Sequence, residues 1–399
     1  MDRITLEEAL KKIEIYVDSL GSEQLSSGAA LGRVLLENCC SPIQQPPFPR
    51  SPLDGYALRG EDSHGAGAGN PVCLRVIDRS FAGVPAKKEV TPGTAVRIMT
   101  GGVIPLGADC VIRQEDTDCG EEWVQLYRSL HPNENYCRAG EDFDVGTLLA
   151  RKGTGITAGT CAVFAAAGIT HVTVNRLPRV AVLSTGSELR QPGSELSLGT
   201  IYDTNGAYLE NRLRELKIPV TQIRSVPDQP EELTHAINSA IQDADFMILS
   251  GGVSVGQRDL VPWALETLGG TEVFHGVAVK PGMPAALYIV QGKPVLALSG
   301  NPFACVVTFE LLGRKVLACL SGDARFLPVV KHANLLCGYE KNRPIRRFFS
   351  GVLSDHGVRI QVTQQNGQTH MLAESNCIVE LPAGKEPIPV GTLATVHLL

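Results

Sequence analysis

The chain has 399 residues and a formal net charge of −6, from 36 basic and 42 acidic side chains. This length exceeds what one hydrophobic core usually serves, so we expect several domains. The negative balance argues against a general nucleic-acid or anionic-membrane binder, and any bound anion must therefore be held by a local site.

The cysteines and the N-terminus indicate the cellular compartment. The eleven cysteines are scattered and none forms a C-x-x-C pair, which is typical of reduced thiols in a cytosolic protein. The first residues, MDRITLEEALKKIEIYV, have helical apolar spacing interrupted by charges, unlike a signal peptide. The apolar run 155–174 is broken by polar residues and predicts a buried helix followed by a strand. We expect a soluble, cytoplasmic protein without a membrane segment.

The first third of the chain changes pattern twice. Residues 3–20 and 21–40 are predicted to form two helices. Five prolines in residues 41–52 end the helical pattern. Short β-type runs then follow, which predict a β-rich insertion at about 46–137. These runs are VCLRVID, TAVRIMTG, ADCVIRQED and WVQLYRSL.

The middle of the chain alternates buried strand-like runs with helical stretches. The strand-like runs are RVAVLSTG, PVTQIRSV, DFMILSGG and KPVLALSG. This βαβα order predicts a mostly parallel sheet with helices on both faces. The fold class is therefore multidomain α/β. We expect an N-terminal helical region with its insertion over 1–176, a parallel-sheet α/β domain over 177–325, and a small C-terminal β-barrel or β-sandwich over 326–399.

Glycine-rich polar loops follow three of the predicted parallel strands. In open parallel sheets, ligands bind outside the carboxyl ends of the strands. The loops are Ser184–Glu188, Ser250–Gly256 and Ser299–Pro302. Asn301 and Pro302 suit the cap and first position of the next helix, and the glycines let the backbone approach a phosphate.

Carboxylates accompany these loops, and one lysine stands at another strand end. The acidic residues are Glu188, Asp203, Asp228 and Asp259, and oxygen ligands beside a phosphate suit Mg²⁺. Lys280, in GVAVKPGMPAAL, is placed to meet an anion. For any single loop the alternative remains open that glycines make ordinary turns and acids cap helices. Three loops on one edge favour a ligand site.

Other common sites find no support in the sequence. The chain has no G-x-x-x-x-G-K-[ST] and no G-x-S-x-G. Its HGAGAGNP stretch lacks both the G-x-G-x-x-G spacing and a preceding strand.

Several ordered motifs together resemble one family, the molybdopterin molybdenumtransferases, which include the gephyrin E-domain. Besides the three loops, they are SPLDGYA (51–57), RIMTGG (97–102), RQED (113–116) and AGED (139–142). The resemblance implies an α/β molybdopterin-binding domain, a helical linker region with a β-rich insertion, and a C-terminal β-barrel. It also implies a homodimer whose sites lie between the α/β domain of one chain and the insertion of the other.

The activity implied is a transferase reaction. Adenylyl-molybdopterin and molybdate give molybdenum cofactor and AMP, with Mg²⁺ as cofactor. Implied partners are the molybdopterin adenylyltransferase and the molybdoenzymes that accept the product.

The resemblance also assigns roles to matching positions. The implied catalytic residues are Asp54, Asp142 and Lys280, and the implied Mg²⁺ ligands are Asp259 and Glu188. The positions implied to bind the pterin and phosphate groups are Thr185, Gly186, Glu188, Asp228, Gly251, Gly252, Ser254, Gly256, Ser299, Asn301, Pro302 and Arg346.

Departures from the family pattern cluster at the implied oxyanion pocket. Met283 replaces the second lysine of K-P-G-K-P, and Ser299 replaces a proline. Near the C-terminus, the region that matches the arginine-bearing strand reads RRFFS, from Arg346 to Ser350, and Thr369-His370 replaces a serine pair. The alternative function is therefore a molybdopterin-binding paralogue, a carrier or storage protein with altered or lost oxyanion insertion.

Overall fold

The structure of the chain, a computed structural model, describes residues 3–253, 260–341, 343–361, 367–384 and 386–399. The chain forms two compact units. One consists of Met1–Ser22 together with Asn175–Leu399, and the other of Glu23–Val174. We call them the discontinuous unit and the inserted unit.

Helix α1 (Leu6–Tyr16) opens the discontinuous unit and confirms the predicted N-terminal helix. Thr5 Oγ1 accepts a hydrogen bond from the Glu8 N–H, and Glu8 Oε2 accepts one from the Thr5 N–H. This reciprocal capping box satisfies amides that a helix start leaves unpaired. Ile13 lies on the buried face that joins the main core of this unit.

The inserted unit is built mainly from short strands. They are β1 (Ser22–Ser26), β2 (Cys39–Cys40), β3 (Gly55–Leu58), β4 (Gly67–Ser80), β5 (Thr94–Ile98), β6 (Cys110–Arg113), β7 (Trp123–Arg128), β8 (Leu148–Ala150) and β9 (His171–Asn175), with helix α2 (Ala158–Ala166) between the last two. A five-stranded sheet has the order β6-β3-β5-β4-β7, while β1 pairs with β9 and β2 with β8. The predicted β-type runs are confirmed as strands β4 to β7.

One prediction for this unit is wrong, and another is confirmed only in part. Residues 21–40 are not a helix, because β1 pairs with β9 and turns follow it. Gly21 and Gly32 both have a φ of 81°, a left-handed conformation that breaks a helix. The run 155–174 is a helix followed by a strand, but within helix α2 only Phe164 is buried.

The discontinuous unit continues with alternating strands and helices. They are β10 (Val180–Thr185), β11 (Leu189–Arg190), β12 (Ile201–Tyr202), α3 (Thr204–Glu215), β13 (Val220–Val226), α4 (Pro230–Asp243), β14 (Phe246–Ser250), α5 (Leu260–Thr267), β15 (Thr271–His275), β16 (Val279–Lys280), β17 (Ala286–Val290), β18 (Lys293–Leu298), α6 (Pro302–Thr308) and α7 (Arg314–Ser321). A π-helical turn, Phe309–Gly313, joins α6 to α7.

The central sheet of this unit has the order β13-β10-β14-β18-β17-β15. The first three pairings are parallel and the last two antiparallel. The predicted α/β domain is thus confirmed as a mixed sheet with apolar cores on both faces. Ser184 pairs with Ser250, and Ser250 with Leu298, so three parallel strands end at one level.

The C-terminal region is rich in β-structure, as predicted. Its strands are β19 (Val330–Asn334), β20 (Arg346–Ser354), β21 (Gly357–Ile360), β22 (Cys377–Leu381) and β23 (Leu393–Leu398). Their order is β16-β20-β22-β23-β19, and β21 pairs with β20. A single bridge joins Leu335 to Val358.

Two sequence expectations concern the whole chain. All eleven cysteines are free thiols. None of the described helices combines the length and the apolar character that a membrane crossing requires.

Candidate functional site

A cleft of about 850 Å³ lies at the carboxyl ends of β10, β14 and β18. The three glycine-rich loops meet here, as strand order and register require. The cleft brings together eight of the predicted site residues, namely Thr185, Glu188, Asp228, Gly251, Gly252, Ser299, Asn301 and Pro302. Ser254, Gly256 and Asp259 lie outside the described residues.

Two glycines let the backbone after β14 pack tightly against Thr185. Gly251 has a φ of 98°, and a Cβ there would lie 2.4 Å from the Thr185 carbonyl oxygen. Gly252 has a φ of 61°, and its Cβ would lie 3.0 Å from Thr185 Oγ1. Any side chain at these positions would displace the threonine, so both the conformation and the close approach require glycine.

The third loop passes from β18 into helix α6. Asn301 occupies the cap position and Pro302 begins the helix, as predicted. The Ser299 hydroxyl accepts a hydrogen bond of 3.3 Å from the Asn301 N–H. Ser299 therefore fixes the turn from which α6 starts, within the cleft wall.

Two carboxylates lie on the open side of the cleft. Glu188 and Asp228 line it and also line an adjoining cavity of about 690 Å³. The Asp228 N–H donates to Ser187 Oγ at 3.1 Å. Asp203 is different, since it caps α3 by accepting from the Gly206 N–H at 2.8 Å and also accepts from the Ser225 hydroxyl at 3.1 Å.

The donor set of the described residues fits a cation that takes few protein ligands. Nowhere in the described ranges do three or more His, Cys, Asp or Glu side chains group as a metal site. Glu188 and Asp228 nevertheless share the same two cavities. Mg²⁺ usually binds through one or two carboxylates, with substrate phosphate and water completing its shell. The pair therefore suits Mg²⁺ beside a phosphate.

The predicted basic residues are not among the described residues that line the cleft. Lys280 is exposed at the end of β16, in register with Arg347 of β20. Arg346 binds Glu7 Oε1 at 2.7 Å and Glu380 Oε1 at 3.2 Å. Gly186 follows Thr185 directly in the chain but is likewise not a lining residue.

Asp54 and Asp142 belong to the inserted unit. Asp54 Oδ1 accepts hydrogen bonds from the Thr100 N–H and the Thr100 hydroxyl, each at 2.7 Å. These two bonds hold the pKa of Asp54 below its usual value. Asp142 is exposed, and its N–H donates to the Gln45 carbonyl oxygen at 2.9 Å.

Sequence reasoning missed part of the cleft wall. Ile201 and Tyr202 of β12 line it, together with Pro284, the neighbour of Met283. Thr369, one of the departures from the family pattern named above, also lines the cleft. The short stretch Ile201–Tyr202 precedes the α3 cap, and its large exposed side chains are the signal that could have pointed to a ligand-covering segment.

Three family models match consecutive parts of the chain. They describe a MoeA N-terminal region (domain I and II) at residues 4–168, a probable molybdopterin binding domain at 181–318, and a MoeA C-terminal region (domain IV) at 332–399. The cleft lies within the second match, apart from its C-terminal residues.

Relatives match along the full length. A molybdopterin molybdenumtransferase of Staphylococcus epidermidis is 32% identical, and the alignment covers 99% of this chain and 95% of that protein. The Staphylococcus aureus (strain COL) protein of the same name shows the same identity and coverage. The chain belongs to the molybdopterin molybdenumtransferase family.

A solved structure supports this assignment for the fold. The molybdopterin biosynthesis MoeA protein from Pyrococcus horikosii superposes with a TM-score of 0.85 at 32% identity, covering 100% of this chain and 99% of that one. A second MoeA structure from Pyrococcus horikoshii OT3 gives 0.75 at 29% identity, with full coverage of both chains. The chain therefore has the multidomain fold of a MoeA-type transferase.

Proposed function

We propose that this chain is the transferase that inserts molybdate into adenylyl-molybdopterin, giving molybdenum cofactor and AMP. One observation carries the proposal. The cleft lies at the ends of three parallel strands, where Gly251 and Gly252 let the backbone come close to a ligand. Two carboxylates that suit a metal-bound phosphate line the same cleft. Full-length relationship to proteins named for this activity supports it.

The chain's own groups act mainly by holding and orienting the substrate. Thr185 and the glycine loop form one wall, and Ser299 and Asn301 form the other. Glu188 and Asp228 would hold Mg²⁺, with Asp259 as the further predicted ligand. Mg²⁺ would neutralise charge on the pyrophosphate. Positioning of this kind and charge stabilisation account for most of the expected rate enhancement.

The catalytic roles of Asp54, Asp142 and Lys280 are part of the proposal. Because two hydrogen bonds favour its charged form, Asp54 is a carboxylate at neutral pH. A lowered pKa makes Asp54 a weak base, so we assign it a charged positioning role in the reaction. Lys280 is exposed at a strand end and suits an oxyanion. Gly186 and Arg346 keep their proposed places in the substrate site through the family pattern alone.

The remaining features follow from the family resemblance. We propose a cytoplasmic homodimer that uses Mg²⁺, receives substrate from the molybdopterin adenylyltransferase and delivers product to molybdoenzymes. We also propose that the C-terminal strands close into a barrel. The bridge from Leu335 to Val358, together with the pairing of β21 and β20, supports closure between β19 and β21.

The second candidate is a molybdopterin-binding paralogue that does not insert molybdate. Two observations favour it. Met283 stands where a second lysine is expected, and Arg346 is engaged by Glu7 and Glu380. A hydrogen bond to a charged group contributes about 1.5–3 kcal/mol, so loss of one cation weakens oxyanion binding by roughly tenfold or more.

One assay separates the two candidates. Purified protein is incubated with adenylyl-molybdopterin, Mg²⁺ and molybdate, and AMP release and cofactor formation are measured. The transferase releases AMP only when molybdate is present, and Asp228→Asn reduces that release. Asp243→Asn, an exposed carboxylate at the far end of α4, is the matched control and retains wild-type release.

A different outcome would contradict the transferase proposal. Substrate binding without molybdate-dependent AMP release would rule out the transferase and support the molybdopterin-binding paralogue. In that case a Met283→Lys variant tests the reason, because restored release would trace the loss to the missing lysine.

A further inference from the structure

A buried histidine contacts the wall of the cleft from behind. His275 ends β15, and its side chain is only 5% exposed. Its Nε2 lies 3.2 Å from the Val253 carbonyl oxygen. Because a carbonyl oxygen can only accept, the ring N–H is the donor. Val253 lines the cleft, whereas His275 is not among the described residues that line it, so the histidine holds the wall from outside the cleft.

An irregular pairing at the sheet edge puts a carboxylate beside this imidazole. β15 is an edge strand of the central sheet, and residues three apart in a regular strand face opposite sides. The register of β15 with β17 shifts between Glu272 and Phe274, as at a β-bulge, which can re-aim a side chain. Glu272 Oε2 accordingly lies 3.8 Å from His275 Nδ1.

The carboxylate is itself fixed by a tyrosine. The Tyr288 hydroxyl donates to Glu272 Oε2 at 2.9 Å. Tyr288 is completely buried, and burial raises the pKa of its phenol, which therefore stays protonated at neutral pH and remains a donor. A fixed carboxylate beside Nδ1 limits the rotation of the imidazole and keeps Nε2 directed at Val253.

The second ring nitrogen has a different environment. His275 Nδ1 is buried and has no hydrogen-bond partner in the parts of the chain that the structure describes. A buried polar atom without a partner is costly, and such an atom needs an explanation. A phenylalanine would fill a similar space without this cost. The nitrogen that accounts for a histidine here is therefore Nε2, which holds Val253.

We propose that His275 is a positioning residue for the reaction, because its ring N–H anchors the backbone of the cleft wall at Val253. The two residues before Val253 are Gly251 and Gly252, with φ of 98° and 61°, and glycine has the freest backbone of all residues. A turn of this kind needs an outside contact to keep one orientation. A small displacement of a substrate-positioning group lowers a reaction rate strongly. The inference rests on the proposed function and adds a residue that acts on the substrate only through the loop.

Two substitutions test whether the donor matters. His275→Gln keeps an N–H near the position of the ring Nε2, and His275→Phe keeps a ring without a donor. In the AMP-release assay, His275→Phe lowers kcat by about tenfold or more and changes KM by less than about twofold, because the cleft still binds the substrate but orients it less well. His275→Gln restores kcat to within about threefold of wild type. His235→Phe, an exposed histidine of α4, keeps the wild-type kcat.

Hydrogen–deuterium exchange measures the anchor without the reaction. The Gly251 N–H is protected by its donation to the Leu298 carbonyl oxygen at 3.0 Å. In His275→Phe, exchange over residues 250–253 becomes about two- to tenfold faster, as expected when one hydrogen bond is lost. The rate stays at the wild-type value in His275→Gln and in His235→Phe. Thermal melts verify that every variant is folded at the temperature of measurement.

Two results overturn the inference. Unchanged exchange over residues 250–253 in His275→Phe shows that the histidine does not hold the loop. Equal losses of kcat in the glutamine and phenylalanine variants show that the packing of the ring matters and the donor does not. The proposed function fails separately. Faster exchange in His275→Phe, together with a wild-type chain that releases no AMP, keeps the anchor and rejects the transferase.

Discussion

Asp54 shows how one local pair of hydrogen bonds sets the charge of a proposed catalytic residue. The Thr100 N–H and hydroxyl both donate to the same carboxylate oxygen. Bonds to the charged form lower the pKa of Asp54. A group with a depressed pKa stabilises the folded state above its unfolded pKa, and this contribution is lost as the pH falls through the folded value.

Thr100→Val is therefore expected to raise the pKa of Asp54 part of the way toward its unfolded value, because the N–H remains. The chemical shift of the Asp54 carboxyl carbon, followed against pH by NMR, measures this directly. The stability difference between wild type and variant is present at neutral pH and disappears in acid, below the folded pKa of Asp54. An unchanged titration would show that the hydroxyl does not contribute.

Gly251 is a second residue whose local geometry matters, because it lets the cleft wall pack closely against Thr185. Gly251→Ala introduces a Cβ 2.4 Å from a backbone oxygen, in addition to the strain of a φ of 98°. Gly269→Ala introduces the same backbone strain, at a φ of 75°, but no steric contact, since no atom lies within 4 Å of the added carbon. We expect about 1–2 kcal/mol of destabilisation at position 269, and a larger loss at 251. Urea unfolding of both variants measures the difference, and equal losses would contradict the predicted contact.

The π-helical turn between α6 and α7 carries a buried carboxylate, Glu310. It accepts a hydrogen bond of 2.7 Å from Arg212 Nε of α3 and pairs with Arg314 at 3.1 Å. Tyr208 also donates to it, at 2.9 Å. Burial, with the adjacent Glu310 charge, raises the pKa of Tyr208 well above its usual value. These contacts tie α3 to the helix that starts in the cleft wall.

Glu310→Gln is expected to destabilise the chain by about 3–5 kcal/mol, because it leaves two guanidinium groups without their buried partner. Glu210→Gln, which breaks a partly exposed pair with Arg214 on α3, is expected to cost less than about 1 kcal/mol. Denaturant unfolding compares the two. Similar costs would show that the network contributes no more than a surface pair.

How far the sequence predicts these elements depends on whether the signal is local. Helix α4, Pro230–Asp243, is one of the helical stretches expected between the strand-like runs, and Pro230 with a regular apolar stripe marks it locally. The helix predicted for residues 21–40 is wrong because strand β1 is defined by its pairing with β9, which is distant in sequence. The cleft itself followed from the strand ends. The part of its wall at Ile201 and Tyr202 did not, because β12 is defined by its pairing with β11.

The chain leaves the discontinuous unit and re-enters it at two neighbouring points. The Arg176 N–H donates to the Gly21 carbonyl oxygen at 3.0 Å, on either side of the inserted unit. A chain in which a short Gly-Ser linker replaces residues 23–174 can therefore keep the discontinuous unit closed. We expect this variant to retain binding of adenylyl-molybdopterin, since the residues that line the cleft all belong to the discontinuous unit.

The same variant is expected to release no AMP, because it lacks Asp54 and Asp142. Circular dichroism verifies its fold, and the full-length chain carrying Asp54→Asn and Asp142→Asn provides a second route to the same result. Wild-type AMP release in either protein would remove the inserted unit from the reaction.

The insertion also affects the order in which the protein assembles on the ribosome. Helix α1 is translated before the inserted unit and α7 after it, yet Lys315 of α7 binds Glu14 of α1 at 2.5 Å. At about 5–20 residues per second, the intervening ~300 residues take tens of seconds to synthesise. The helix therefore waits through the synthesis of the entire inserted unit, which can fold meanwhile. Helix α1 therefore reaches its packed position only after the inserted unit and α7 have been synthesised.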